Sequence, residues 1–406
     1  MIPERQRILL TGGRSFVALD LARQFARSGH EVIVAESLPV HLCRYSTSVR
    51  KHYLVPRPNV QPGEYIDELV RIIREEQIDL LLPTCEEIYF IARERERLSA
   101  YCSVFVASLW QMRALHSKWE FNQRALSYGL RVPETHLLTS QRDLQSFIAQ
   151  NQHPFVLKPV FSRFATRVLM VEVAEQASRS FQHLSISADY PWVAQERIDG
   201  QLCCSYSVAH AGKLAAHAVY GAHFTAGQGA CIQFEPLEDP GIDRWIEHFV
   251  AREQFTGQIA FDFIVTGAGE VYPLECNPRA TSGIHLFCQD DDLPGVFLES
   301  DWHDQPVIKP CAGARAMIAP AMLVYGLPEL HSWARLKEWL RTFTRARDVV
   351  FDWRDPGPFL RQPLILWYNW RGSRAAGISL QAFSTRDIEW NGQDLTAQTS
   401  QGGSLA

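Results

Sequence analysis

Residues 258–283 read QIAFDFIVTGAGEVYPLECNPRATSG and place Asp262, Glu275, Asn277 and Arg279 in one short stretch. Two apolar runs flank the turn residues Thr266-Gly267-Ala268-Gly269, a pattern that predicts a β-hairpin. A turn centred on Gly267-Ala268 sets Asp262 opposite Pro273 and makes Glu275 its diagonal neighbour. Side chains alternate along a strand, so Asp262, Glu275 and Asn277 share one face while Phe261, Phe263 and Leu274 take the other. Two carboxylates and an amide oxygen suit a hard cation such as Mg²⁺, which takes a few such oxygens plus substrate phosphates. Arg279 follows where a guanidinium can grip a phosphoryl group with two parallel hydrogen bonds. The plain alternative is a solvated surface pair. Against it, the acids stand inside apolar FDF and PLEC, and charge is rarely buried without partners.

A second cation stands in an apolar run, Lys158 in PFVLKPV. Burying an unpaired ammonium is costly, and a phosphate partner would resolve the conflict. The alternative is a lysine snorkelling at a strand end before Pro159. Lys118 opens a helix with capping-box spacing, Ser117 to Glu120. Surface helices are rich in lysine, so Lys118 alone carries little.

The elements around these residues divide the chain. Arg7 to Gly12 is a short strand, Ser15 to Ser28 has helical periodicity, and EVIVAES is the next strand. That β-α-β pattern predicts a parallel sheet. Tyr65 to Glu76 reads as a helix, IDLLLP as a strand, and Thr84 to Glu87 as a cap opening a helix through Arg97. Thr11-Gly12-Gly13-Arg14 lacks a dinucleotide fingerprint and reads as a tight turn. Strands at 154–160, 168–173, 192–195, 202–209 and 214–220, with the hairpin, predict a mostly antiparallel second sheet. The expected organisation is an α/β domain over 1–112, a small subdomain over 113–190, a core carrying the hairpin over 191–300, and an extension over 301–406.

The pattern FDF…YxxExNPR resembles the metal-binding hairpin of the ATP-grasp superfamily. The likeness spans about residues 5–290. It implies an α/β first domain followed by α+β domains with antiparallel sheets. It implies that Asp262, Glu275 and Asn277 hold Mg²⁺, that Arg279 contacts the transferred phosphate, and that Lys118 and Lys158 contact ATP. Trp192 to Gln201, WVAQERIDGQ, is similar to the family's adenine hinge. By that likeness Gln195 and Glu196 meet the adenine edge, Arg197 and Ile198 supply backbone and an apolar wall, and Gln201 stands where many members hold the ribose with glutamate. The loop Phe161 to Arg167 takes the place of a glycine-rich flap without any glycine, leaving Ser162, Thr166 and two arginines for phosphate. The resemblance implies an ATP-dependent carboxylate–amine (or thiol) ligase. A small carboxylate becomes an acyl phosphate and an amine displaces phosphate, with Arg279 and Lys158 assisting. Alternatives are a bicarbonate-phosphorylating carboxylase or carbamoyl-phosphate-type enzyme, and a non-catalytic ATP-binding module. No AMKM-type segment for biotin attachment occurs.

Composition bounds the rest. The chain has 406 residues, 46% hydrophobic and 21% charged, with a net charge of −5. That balance argues against dedicated nucleic-acid or membrane-surface proteins. No span or signal peptide is expected. Nine cysteines without a CxxC pair predict reduced thiols in the cytoplasm and no structural zinc. The expected partners are small carboxylates and amines, with a homodimer the commonest oligomer. Glu86 reads as a substrate contact or an exposed first-turn acid, and His285 as a base or a packed residue. His223 to Cys231 reads as a substrate or lid loop. Trp339, Trp353, Trp367 and Trp370 read as core or oligomer contacts, and Asn391 to Ala406 as a frayed tail.

Overall fold

The computed structural model describes residues 5–162, 168–172, 181, 184–226, 230–299, 302, 305–390 and 392. Five parallel strands open the chain: β1 (Arg7–Thr11), β2 (Glu31–Glu36), β3 (Lys51–Leu54), β4 (Leu80–Leu82) and β5 (Ser103–Val104), in the order β3-β2-β1-β4-β5. The three central strands are almost continuously apolar because helices cover both sheet faces. Gly12 turns the chain with φ +73°, and a Cβ there would meet Thr84 Oγ1 at 2.5 Å. Ser15 then caps the helix Phe16–Arg27 by accepting from the Ala18 amide. TGGR is thus a tight turn, and its Arg14 pairs with buried Glu36 and Asp387.

The helix expected to run through Arg97 breaks into Ile88–Arg93 and Arg95–Ser99. Glu87 faces inward rather than along the helix. Its carboxylate accepts from Thr11 Oγ1 at 2.7 Å and from the Thr84 and Cys85 amides. Glu86 is fully buried, not an exposed first-turn acid, and accepts from the Trp390 amide at 3.2 Å.

The antiparallel strands divide between two sheets. β6 (Thr135–Leu138), β7 (Phe155–Pro159), β8 (Leu169–Val171) and β9 (Trp192–Glu196) lie in the order β6-β9-β7-β8. β10 (Gln201–His210) and β11 (Lys213–Gly221) belong to the other. After the short strands β12 (Thr225–Ala226), β13 (Ala230–Cys231) and β14 (Gln233–Phe234) come the hairpin strands β15 (Gly257–Val265) and β16 (Val271–Asn277), giving the order β11-β10-β15-β16. The single second sheet of the expectation is therefore two. The break falls between β9 and β10, where a Cβ on Gly200 would meet the Val265 carbonyl at 2.3 Å, so only glycine lets the chain cross the hairpin there. β9 bonds to β6 and β7, on the small-sheet side of that break.

The hairpin's apolar face packs as its alternation requires. Trp245 and Phe249 of helix Pro240–Glu253 stack on each other with centroids 5.2 Å apart and meet Phe261 edge-on. Trp245 also meets Phe263 at 5.3 Å. This cluster holds β15 from behind and leaves its other face to the acids.

Beyond residue 300, β17 (Ala316–Met317) and β18 (Arg347–Asp348) join β14 in a small sheet. Arg347 donates to Asp20 at 2.8 Å, and His285 meets the same carboxylate at 2.7 Å. His285 is therefore a packed residue tying first domain to extension. The chain then returns to the first domain, where Trp390 stacks on Tyr89 at 4.5 Å. Of the four tryptophans read as core or oligomer contacts, only Trp339 is buried; Trp353, Trp367 and Trp370 face outward. The expected frayed tail lies outside the described residues, Gly392 apart. Among the described residues, no helix is long and apolar enough to cross a membrane.

Candidate active site

Next to the turn, the hairpin pairs one residue out of the register that the sequence suggests. Val265 pairs with Val271, and Phe263 with Pro273. Continued unchanged, that register would set Leu274 against Asp262 and send Glu275 to the apolar face. A β-bulge corrects it. Leu274 is the extra residue, and Glu275 comes directly opposite Asp262 with Asn277 opposite Ala260. The shared face expected for Asp262, Glu275 and Asn277 is present, by a different route from the diagonal pairing. The bulge also frees the Leu274 carbonyl, which accepts from Lys158 Nζ at 3.1 Å.

The charges around this face are organised. Lys118 Nζ lies 3.2 Å from Glu275 Oε2 and donates to the Ser162 carbonyl at 3.2 Å. Desolvation raises the Glu275 carboxyl, but Lys118 and Lys158 more than offset it and hold the group at about 2. Around Asp262 the cations do less, and Arg279 lowers its carboxyl only in part. Desolvation and the adjacent Glu275 push it up to about 7. Burial, with Lys118 nearby, brings Lys158 down to about 8. Asn277 donates to Glu275 at 3.3 Å and accepts from Arg279 at 3.2 Å, so the four polar residues form one chain of contacts.

This face forms the floor of a cleft of about 330 Å³. Lys158, Ser162, Gln195, Glu196, Arg197, Ile198 and all four hairpin residues line it. Lys118 reaches it through Glu275. Gln201, expected at the ribose, is exposed at the start of β10 and does not line the cleft. Thr166 lies outside the described residues, as do Arg163 and Arg167. In the hinge segment, Gln195 is buried and donates to Thr135 Oγ1 at 3.0 Å, while Glu196 accepts from the Glu134 amide at 3.1 Å. The Arg197 amide donates to the Pro154 carbonyl at 3.4 Å, and its guanidinium pairs with Glu172.

Several cleft residues escaped the sequence reading. Val156, Met170, Leu202 and Ile264 supply apolar walls that a flat aromatic base can fill. Their signal was there, as apolar residues at the positions of β7, β8, β10 and β15 that alternate with the buried core. Cys204 pairs with Asp262 across the β10–β15 ladder, and its sulfur lies 3.7 Å from that of Cys231. Adjacent cysteines in a strand carry no signal of that kind.

The donor set fits Mg²⁺. Asp262 and Glu275 oppose each other closely enough that one carboxyl is driven toward protonation, and a divalent cation between hard oxygens relieves that repulsion.

Neither a protein-family model nor a curated protein matches the sequence. Solved structures do. One similar chain is phosphoribosylamine–glycine ligase from Thermotoga maritima, with 15% identity over 75% of this chain and 78% of that one, at TM-score 0.59. Another is N5-carboxyaminoimidazole synthetase from Staphylococcus aureus complexed with ADP, with 12% identity over 74% and 79%, at TM-score 0.58. L-amino acid ligase from Bacillus licheniformis gives 16% identity over 69% and 68%, at TM-score 0.54. The chain has an ATP-grasp fold. At such identities the likeness is one of fold, and the roles of individual residues rest on the cleft itself. The small sheet and the hairpin sheet both line the cleft floored by Asp262 and Glu275.

Proposed function

We propose that this protein is an ATP-dependent ligase that activates a small carboxylate as an acyl phosphate and joins it to an amine, releasing ADP and phosphate. The observation that carries the reading is the bulged hairpin, which sets Asp262, Glu275 and Asn277 on one face with Arg279, Lys158 and Lys118 around them. The apolar walls at Val156, Met170 and Ile264 take the base, which directs the phosphates toward the hairpin. Lys158 and Lys118 give up the Leu274 carbonyl and Glu275 for phosphate oxygens, a small rearrangement because both ammonium groups already point there. Mg²⁺ held by Asp262, Glu275 and Asn277 would neutralise charge on the phosphates. Arg279 meets the phosphoryl group as it passes to the substrate carboxylate, where a preorganised cation stabilises the charge spread over the transferring oxygens. The amine then attacks the acyl carbon and expels phosphate.

Calorimetric titration of ATP tests the binding half. Wild-type protein is expected to bind ATP more tightly with Mg²⁺ than in EDTA, and Asp262→Asn is expected to lose that difference while keeping the metal-free affinity. Equal affinity with and without Mg²⁺ in the wild type would contradict the metal assignment.

A further inference from the structure

The chain carries a net charge of −5, yet residues 356–386 hold four arginines and no Asp, Glu, Lys or His. Within this stretch the helix Gln362–Ala376 packs inward through Ile365, Tyr368, Asn369, Gly372 and Ser373. At 100° per residue, its outward arc takes Leu364, Leu366, Trp367, Trp370, Arg371 and Arg374. All six are exposed, Trp370 by 56%. Leu360 and Trp353 continue the apolar surface beyond the helix start, at 69% and 85% exposure. The arrangement reverses an ordinary surface helix, which turns its leucines inward and its charges outward.

We propose that this face docks on an anionic lipid surface. Indole rings and leucines enter the headgroup boundary, and arginines meet lipid phosphates at the same depth. Arg371 already lies over the Trp367 ring, 5.5 Å from its centroid, so the cation and its aromatic neighbour would dock together. Charge selects this occupant over a second copy of the chain. An isologous contact would set the arginines of one face against those of the other, with no carboxylate in the stretch to answer them. The chain's own residues 393–406, QDLTAQTSQGGSLA, are too polar to cover it. Nucleic acid offers phosphate as well, but gives exposed leucines nothing to pack against.

The test is co-sedimentation of the full chain with vesicles of phosphatidylcholine alone, or of equal parts phosphatidylcholine and phosphatidylglycerol. Binding is expected only to the mixed vesicles and is expected to weaken with salt. Each arginine near such a surface is worth roughly fivefold in affinity, so Arg371→Glu with Arg374→Glu should lower it at least ~20-fold. Trp367→Ser with Trp370→Ser should lower it about tenfold or more. All four positions are solvent-facing, and unchanged thermal melts would show that the variants fold. No binding to mixed vesicles, or binding unaffected by either pair of substitutions, overturns the proposal. So does a concentration-dependent dimer that the tryptophan variant abolishes, which would assign the face to a second copy. Binding to a single-stranded oligonucleotide in place of vesicles would overturn it in favour of nucleic acid.

Discussion

Glu275 and Asp262 are chemically alike and electrostatically opposite. Two lysines hold Glu275 ionised, while at Asp262 burial and the facing carboxylate outweigh Arg279. Removing the charge of Glu275 leaves Lys118 without its ion partner and the cation bed with one carboxylate. Glu275→Gln is therefore expected to lower ATP turnover by about two to three orders of magnitude and, because it breaks a buried ion pair, to lower the melting temperature as well. Steady-state kinetics beside a thermal melt would measure both. Another residue makes a prediction about stability. His41 is buried against the Gly13 carbonyl, and burial brings its pKa down to about 4 even though Glu36 opposes the shift. The unfolded imidazole titrates near 6.5, so between these values the unfolded chain binds more protons. Stability from this group is complete above pH 6.5 and is lost as pH falls toward 4, by on the order of 2 to 3 kcal/mol. Denaturant titrations at pH 7 and 5 should show the loss, and His41→Gln should lessen it.

At the scale of elements, the hairpin was legible because it is a local object. A glycine-rich turn and a period-two alternation specify which residues share a face. The bulge at Leu274 was not legible, because it answers to the packing of Trp245 and Phe249 behind β15 and to Lys158 arriving from another sheet. The parallel first sheet followed from its β-α-β pattern. The division of the antiparallel strands did not, since it depends on the close approach of Gly200 to the Val265 carbonyl. That approach makes Gly200→Ala a test of the hinge. The added methyl must push β10 away from the end of β15, and is expected to cost about 1 to 3 kcal/mol. Because hinge and hairpin line one cleft, ATP affinity should fall as well. Melting curves with and without ATP would report both effects, and an unchanged melt would show that the two segments part freely.

Over the whole molecule, the C-terminal extension joins distant parts. Arg347 bonds to Asp20, Arg23 pairs with Asp355 at 2.9 Å, and Trp390 closes over Tyr89 and Glu86. Trp390→Ala should therefore destabilise the first domain, by about 3 to 5 kcal/mol, although the two lie at opposite ends of the sequence. Chemical denaturation would measure it. None of this was readable from the irregular, proline-rich sequence beyond residue 300, where contacts rather than periodicity specify the structure. Net charge was equally uninformative there, since a sum of −5 over the chain conceals a basic, aromatic face. The central claim concerns the cleft, and its most direct test is nucleotide turnover with Mg²⁺, ATP and pooled amino acids and small carboxylates, with ADP resolved from AMP. The account predicts ADP and phosphate, formed only with particular acids and slowed about two to three orders of magnitude by Glu275→Gln. AMP and pyrophosphate would contradict it, because they mark adenylation rather than an acyl phosphate.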